Sequence, residues 1–255
     1  GKPAARKPAA KAAPIQIVKV NKPSANKKAS PKAAAAPKKA PARKAPARKA
    51  AVKTAVKAAG RDHKPLEMVK KPTFWLYYVW AIAVSAAGLA LISQASGVVW
   101  QASADQTAAS VATIVGLISI CNAVGRVLFG GMYDKYGRSL SMQLVNGLFI
   151  LTSAVLLLAM SRGSVAVVIL GFVLGGLAYS GVTPTNSAFC RAYFGPGHYP
   201  VNFPLINTNL IFASFGSTVS GALYDAGGSY NSTFFLIIGL AAVGIVCSLA
   251  ISAID

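Results

Sequence analysis

From Pro72 to Asp255 the sequence carries five basic residues (Arg126, Lys135, Arg138, Arg162, Arg191) and four acidic ones (Asp105, Asp134, Asp225, Asp255) in 184 positions. A surface facing water is roughly 25–35% charged, so this stretch cannot turn its outside to water. The charges delimit uncharged runs at 73–104, 106–125, 139–161, 163–190, 192–224 and 226–254. About 20 residues at ~1.5 Å rise cross a ~30 Å hydrocarbon layer, where a backbone must satisfy its own amides, so each run predicts a transmembrane helix. The helices are expected near 73–98, 108–131, 139–161, 164–189, 201–223 and 231–253. A soluble helical core is excluded, because no helix has a charged outer stripe.

The rest of the chain is a different object. Residues 1–71 hold 21 basic and 2 acidic residues, accounting for +19 of the chain's net charge of +20. Ala, Lys, Arg and Pro fill 46 of the first 60 positions, with no Leu and no aromatic residue, and Ala40-Pro41-Ala42-Arg43-Lys44 repeats at once as Ala45-Pro46-Ala47-Arg48-Lys49. Nothing there can offset the entropy of ordering, so 1–63 is expected to be disordered, followed by a six-helix domain over 64–255. Its charge suits a solvated cytoplasmic linker or contact with anionic lipid; nucleic acid is the weakest candidate, since aromatic stacking groups are missing. The chain begins with Gly1 rather than Met, which reads as a fragment or a processed chain. Cys121, Cys190 and Cys247 sit far apart in apolar runs, as buried free thiols do.

Basic residues in short connections orient the bundle. Alternation puts Lys70 and Lys71, the Lys135/Arg138 turn and Arg191 on one side and Arg162 alone on the other, so the first side is expected to be cytoplasmic. Phe74, Trp75, Tyr77, Tyr78 and Trp100 suit the two interfaces as anchors or simply face lipid.

At the end of the second helix stands Gly130-Gly131-Met132-Tyr133-Asp134-Lys135-Tyr136-Gly137-Arg138. Gly130 allows close helix approach, Asp134 can meet a cation or a helix N-terminus, Gly137 permits a sharp turn, and Lys135 and Arg138 would lie among headgroups. The pattern Gly-x-x-x-Asp-(Arg/Lys)-x-Gly-Arg resembles the cytoplasmic-loop signature of the major facilitator superfamily. An echo follows 91 residues later, where Gly221, Asp225 and Gly228 stand where Gly130, Asp134 and Gly137 do. Three helices repeated upside down is what that resemblance implies for one half of such a carrier.

The resemblance narrows to the oxalate/formate antiporter-like branch. It is carried by Lys71-Pro72-Thr73-Phe74-Trp75, Asn122-Ala123-x-Gly125-Arg126, Pro184-Thr185-Asn186-Ser187-Ala188-Phe189, Phe194-Gly195-Pro196 and Asn207-Thr208-Asn209. It implies the C-terminal six helices of a twelve-helix carrier in a plasma (bacterial inner) membrane, with an N-terminal six-helix half from the same or a separate chain as partner. No cofactor and no enzymatic chemistry are expected.

Arg126 lies eight residues before Asp134, about 12 Å deeper at helical rise. A guanidinium there costs roughly 2.5–3.5 kcal/mol on insertion scales, so something must compensate it. A transported carboxylate gripped bidentately would do so, and the resemblance implies an anion-binding role; a structural pairing with helix dipoles or Asp134, or snorkelling toward the inner interface, is the competing reading. Ser119, Asn122 and Arg126 share one helix face, Tyr179, Thr183 and Asn186 a second, and Asn207, Ser214 and Thr218 a third. Tyr78 and Asn209 join them as expected substrate contacts. Helices three and six look bland. Pro184 predicts a kink, either a gating hinge or a tolerated bend. Gly171-x-x-x-Gly175 predicts helix packing. Oxalate carriers are expected to bear a second cation on the fifth helix, but 201–224 has none and Asn209 stands at the plausible position, which favours a small monocarboxylate. The expected function is secondary transport of a small organic anion; the alternative is a membrane-anchored polyanion binder acting through its basic tail.

Overall fold

The computed structural model describes residues 62–254. The expected basic tail therefore lies outside the described residues but for its last two positions. Every regular element among the described residues is helical. A short α1 (Pro65–Val69) leads into α2 (Pro72–Ala102), which opens on Pro72, where a missing N–H costs nothing. Then come α3 (Ala108–Arg162), α4 (Val165–Ser180), α5 (Val182–Phe194), α6 (Tyr199–Asn207), α7 (Asn209–Ala213), α8 (Phe215–Gly227) and α9 (Asn231–Ile254).

These elements make six spans. Span 1 is α2. The 55 residues of α3 would reach about 80 Å as a straight rod, far more than a bilayer needs. Gly137 interrupts it with φ 82°, ψ −173°, backbone open to glycine alone. Phe129 and Val145, eight residues to either side of Gly137, both lie against Gly181, so the chain doubles back there. Span 2 is thus 108–136 and span 3 is 138–162. The expected connection over 132–138 is reduced to one residue.

Span 4 comprises α4 and α5. Its interruption falls at Gly181, one turn before Pro184, and it runs on to Phe194 rather than stopping near 189. Proline clashes with the carbonyl four residues back, here that of Ser180, which explains why the discontinuity precedes it. Span 5 comprises α6, α7 and α8, interrupted at Thr208 and Ser214, both of which keep right-handed helical dihedrals. The rod therefore continues through two tightened turns where one helix over 201–223 was expected. Span 6 is α9. Four helical stretches are long and apolar enough to cross a membrane: Pro72–Ala102, Ala108–Arg162, Val165–Phe194 and Asn231–Ile254.

Span 1 is the pillar. Its alanines, Ala81, Ala87, Ala90 and Ala95 among them, are fully buried and let the other spans close in around it. Gly171 packs on Leu156 and Gly175 on Leu91 and Thr152, the structural use expected of that pair. Phe74, Tyr77 and Tyr78 are buried as well, so of the aromatic residues expected at the interfaces only Trp75 and Trp100 are exposed.

The 91-residue echo extends to the element boundaries. Span 2 begins at Ala108 and reaches Tyr136, and span 5 begins at Tyr199 and reaches Gly227, the same residues displaced by 91. Gly137 and Gly228, the paired turn glycines, both have positive φ, 82° and 63°. Contacts repeat too: Gly125 sits against Leu177 as Gly216 sits against Ala86, and Ile118 against Gly176 as Asn209 against Ser85. Gly88 and Tyr179, themselves 91 apart, pack on each other.

Candidate functional site

Arg126 is carried on the exposed face of span 2 among Val124, Val127 and Leu128, and it borders an open surface depression of about 340 Å³ lined with Ser119, Asn122 and Ala123 of the same span. The i, i+3/i+4 spacing of 119, 122, 123 and 126 places all four on one stripe. Helical side chains lean toward the N-terminus, so the guanidinium extends over the turn that holds Asn122. Among the described residues Arg126 has no hydrogen-bond or ion-pair partner. Asn122 turns its Oδ1 into the protein, where it finds no partner.

Of the residues expected to share a face of span 4, Tyr179 is half-buried, Thr183 exposed and Asn186 3% exposed. Asn186 belongs instead to a chain crossing three spans: Tyr77 donates to its Oδ1 at 2.8 Å and its Nδ2 donates to Asn207 Oδ1 at 3.2 Å. The Thr208 hydroxyl donates to the Leu205 carbonyl and so accepts from Tyr78, at 2.7 Å each. Asn209 Nδ2 donates to Ser85 Oγ at 3.2 Å. Ser214 and Thr218 are exposed.

At the Gly137 end, Asp134 and Lys135 are exposed, with the ammonium 5.0 Å from the Tyr136 ring. Arg138 does not reach for headgroups. Its Nε donates to Tyr193 at 2.8 Å, one terminal nitrogen to the Ser248 carbonyl at 3.4 Å and the other to Ser252 Oγ at 3.0 Å, fastening the ends of spans 3, 4 and 6 together. Gly130 faces open space, so no close packing within this bundle requires it, and Gly221 meets Gln94 only at ordinary contact distance. Asp225 is exposed.

Two groups escaped the sequence reading. Tyr77 looked like an interfacial aromatic residue yet is a fully buried hydrogen-bond donor. Asn146, on the supposedly bland span 3, is buried and accepts from Trp80 Nε1 at 3.1 Å. A lone Asn in an apolar run was the only signal. Groups of three or more potential metal ligands do not occur among the described residues.

An all-helical body with apolar spans of bilayer length and a buried polar network is an integral, multi-pass membrane protein. The chain belongs to the Major Facilitator Superfamily, whose family model matches residues 21–210 and, in an overlapping second match, 81–253. No curated protein matches the chain. Membership makes its activity secondary transmembrane transport of a substrate, which is not enzymatic.

Proposed function

We propose that this chain is one six-helix half of a carrier for a small organic anion, a monocarboxylate, and that Arg126 holds the carboxylate. The observation that carries this reading is a guanidinium on an open depression of span 2 with no counter-charge from the described residues. An anion arriving from water supplies that charge through a bidentate pair, and it can leave again because no fixed carboxylate competes for the cation. Asn122 and Tyr179 flank the anion. The single cation on this face is what favours one carboxylate over two.

The 91-residue correspondence is read as two three-helix units of opposite orientation. Since Gly88 and Tyr179 are equivalent positions that touch, they mark the axis relating the units, and Arg126, next to the Gly125 that packs on Leu177 and Ser180 at either side of Tyr179, works near that axis, where both sides of a membrane are reached by rocking. The Gly137 end faces the cytoplasm, as the basic residues of its connections favour. The exposed apolar face of span 2 is where a complementary six-helix half seats.

Uptake of radiolabelled formate and lactate into proteoliposomes holding this chain with its complementary half tests the reading. Arg126→Ala is expected to abolish uptake and Arg126→Lys to retain a few per cent, since a point charge replaces the fork. Undiminished uptake by Arg126→Ala contradicts it.

A further inference from the structure

Asp62 and His63, which precede α1 on the strap that leads into span 1, lie in a receptacle built by the connection between spans 4 and 5. The His63 N–H donates to the Phe194 carbonyl, the Gly197 N–H donates to Asp62 Oδ1, and Asn202 Nδ2 donates to the His63 carbonyl, each at 2.9 Å. The His63 ring stands edge-on to Phe194, with centroids 6.3 Å apart. Asn202 is fully buried, so this wall of the receptacle belongs to the bundle itself. Gly197 is needed for its lack of a side chain, since a methyl group there would run into the Asp62 carboxylate. Its φ is not positive, so alanine would meet no other obstacle.

The chain has two histidines, and this contact holds both. Each faces a carboxylate. Glu67 Oε2, which accepts the Lys64 N–H at 3.2 Å, lies 3.7 Å from His63 Nδ1, but both residues belong to the strap and their attraction only shapes it. The other pair crosses the contact. Asp62 Oδ1, which already holds the Gly197 N–H, lies 3.8 Å from His198 Nδ1. That is an ion-pair distance and too long for a hydrogen bond, and the His198 Nδ1 is buried with no hydrogen-bond partner. A protonated imidazole brings both a charge and an N–H to this carboxylate, whereas a neutral one has no charge to offer. The remaining charged groups of the neighbourhood are Lys64, Lys70 and Lys71 on the strap and Arg191 of span 4, whose guanidinium lies 4.6 Å from the Tyr199 ring centroid. Lysine and arginine hold their charge across the range in which histidine titrates, and the Tyr199 hydroxyl is bonded to Ser187 at 2.8 Å.

We infer that Asp62 and His63 form a proton-operated latch on the connection between spans 4 and 5, with His198 as the group that senses pH. The three 2.9 Å bonds dock the strap at any pH, and protonation of His198 tightens it by closing the gap to Asp62. Because the strap runs directly into span 1, the latch ties span 1 to spans 4 and 5 at the end where Arg138 meets Tyr193. Acidification of the water on that side therefore makes these spans part less readily. The side chains of Asp62 and His198 are 37% and 41% exposed, so solvent screens their attraction and the switch is a severalfold one. The inference is independent of which substrate is carried and of the role of Arg126.

Amide hydrogen exchange of the full chain in phosphatidylethanolamine/phosphatidylglycerol vesicles tests it, with each rate divided by that of an unstructured peptide of the same sequence at the same pH. Wild type is expected to be about threefold better protected at pH 6 than at pH 8, both at 63–64 and at 197–202, because the two sides of a latch open together. Asp62→Asn keeps an oxygen for the Gly197 N–H and His198→Gln keeps a polar side chain, so both are expected to stay docked and to lose the pH dependence at both segments. Gly197→Ala is expected to lose the protection of 63–64 at either pH, with the Tm of the bundle unchanged. Equal protection of wild type at the two pH values overturns the inference, as does a pH dependence that survives in His198→Gln. A change confined to 63–64 overturns it too, since fraying of the strap alone would give that. So does a Gly197→Ala chain as well protected at 63–64 as wild type.

Discussion

Span 2 against span 4 and span 5 against span 1 are the same interface built twice, and they are closed by different physics. In the first, Gly125 lies against Ser180 and Leu177, and Gly176 lies against the Ile118 backbone and the Cys121 side chain. In the second, Gly216 keeps the close approach, with a methyl group there coming within 2.6 Å of the Ala86 carbonyl oxygen, and Asn209 donates a hydrogen bond to Ser85 where Ile118 meets Gly176 by contact alone. The first pair of positions is held by dispersion contacts and the second by a directional bond between side chains.

The largest expected effect lies where the two interfaces are alike. Gly176→Leu and Gly216→Leu each drive a side chain into a backbone carbonyl, and both are expected to lose about 3 kcal/mol or more, read as loss of monodisperse folded protein on size exclusion. A large difference between them would break the equivalence of the interfaces. The turn glycines sharpen it next. Gly137, at ψ −173°, occupies backbone essentially reserved for glycine, so Gly137→Ala is expected to cost about 2–3 kcal/mol; Gly228, at φ 63°, ψ 13°, is ordinary left-handed helix, and Gly228→Ala is expected to cost about 1 kcal/mol. Thermal unfolding in detergent ranks the two.

A smaller effect is expected at Trp80→Phe, which leaves Asn146 Oδ1 without its donor in a fully buried setting. About 1–2 kcal/mol should be lost, and Asn146→Leu added to it should recover part of that, because the orphan goes with the amide.

Much of this architecture is legible in the amino-acid sequence. Charge sparsity pointed to six helices, and four stretches are long and apolar enough to cross a membrane, since the price of a charge in lipid is high enough to confine Arg162, Arg191 and Asp225 to helix ends. Gly137 announced its turn by standing beside Asp134 and Arg138, and its echo at Gly228 proved to share its positive φ. The interruptions at Gly181, Thr208 and Ser214 were not legible, because the residues there are compatible with a continuous helix and only their neighbours decide the hydrogen bonding. Side-chain partners were least legible of all. Arg138 looked like a headgroup ligand until Tyr193 and the end of span 6 were brought beside it, and Tyr77 looked like Trp75 until Asn186 arrived from another span. Periodicity tells which residues share a helix face; it carries no record of what the facing helix offers.

Ala123, exposed in the depression one turn from Arg126, gives the most direct access to the claim that this cation meets a mobile acid. In a background free of Cys121, Cys190 and Cys247, the Ala123→Cys chain reconstituted with its complementary half is treated with a water-soluble anionic methanethiosulfonate, with and without lactate and formate. The account predicts rapid labelling that these carboxylates slow severalfold, with the protection disappearing in Ala123→Cys/Arg126→Ala. A cysteine that water-borne reagent never reaches, or one protected equally well without the guanidinium, would contradict it.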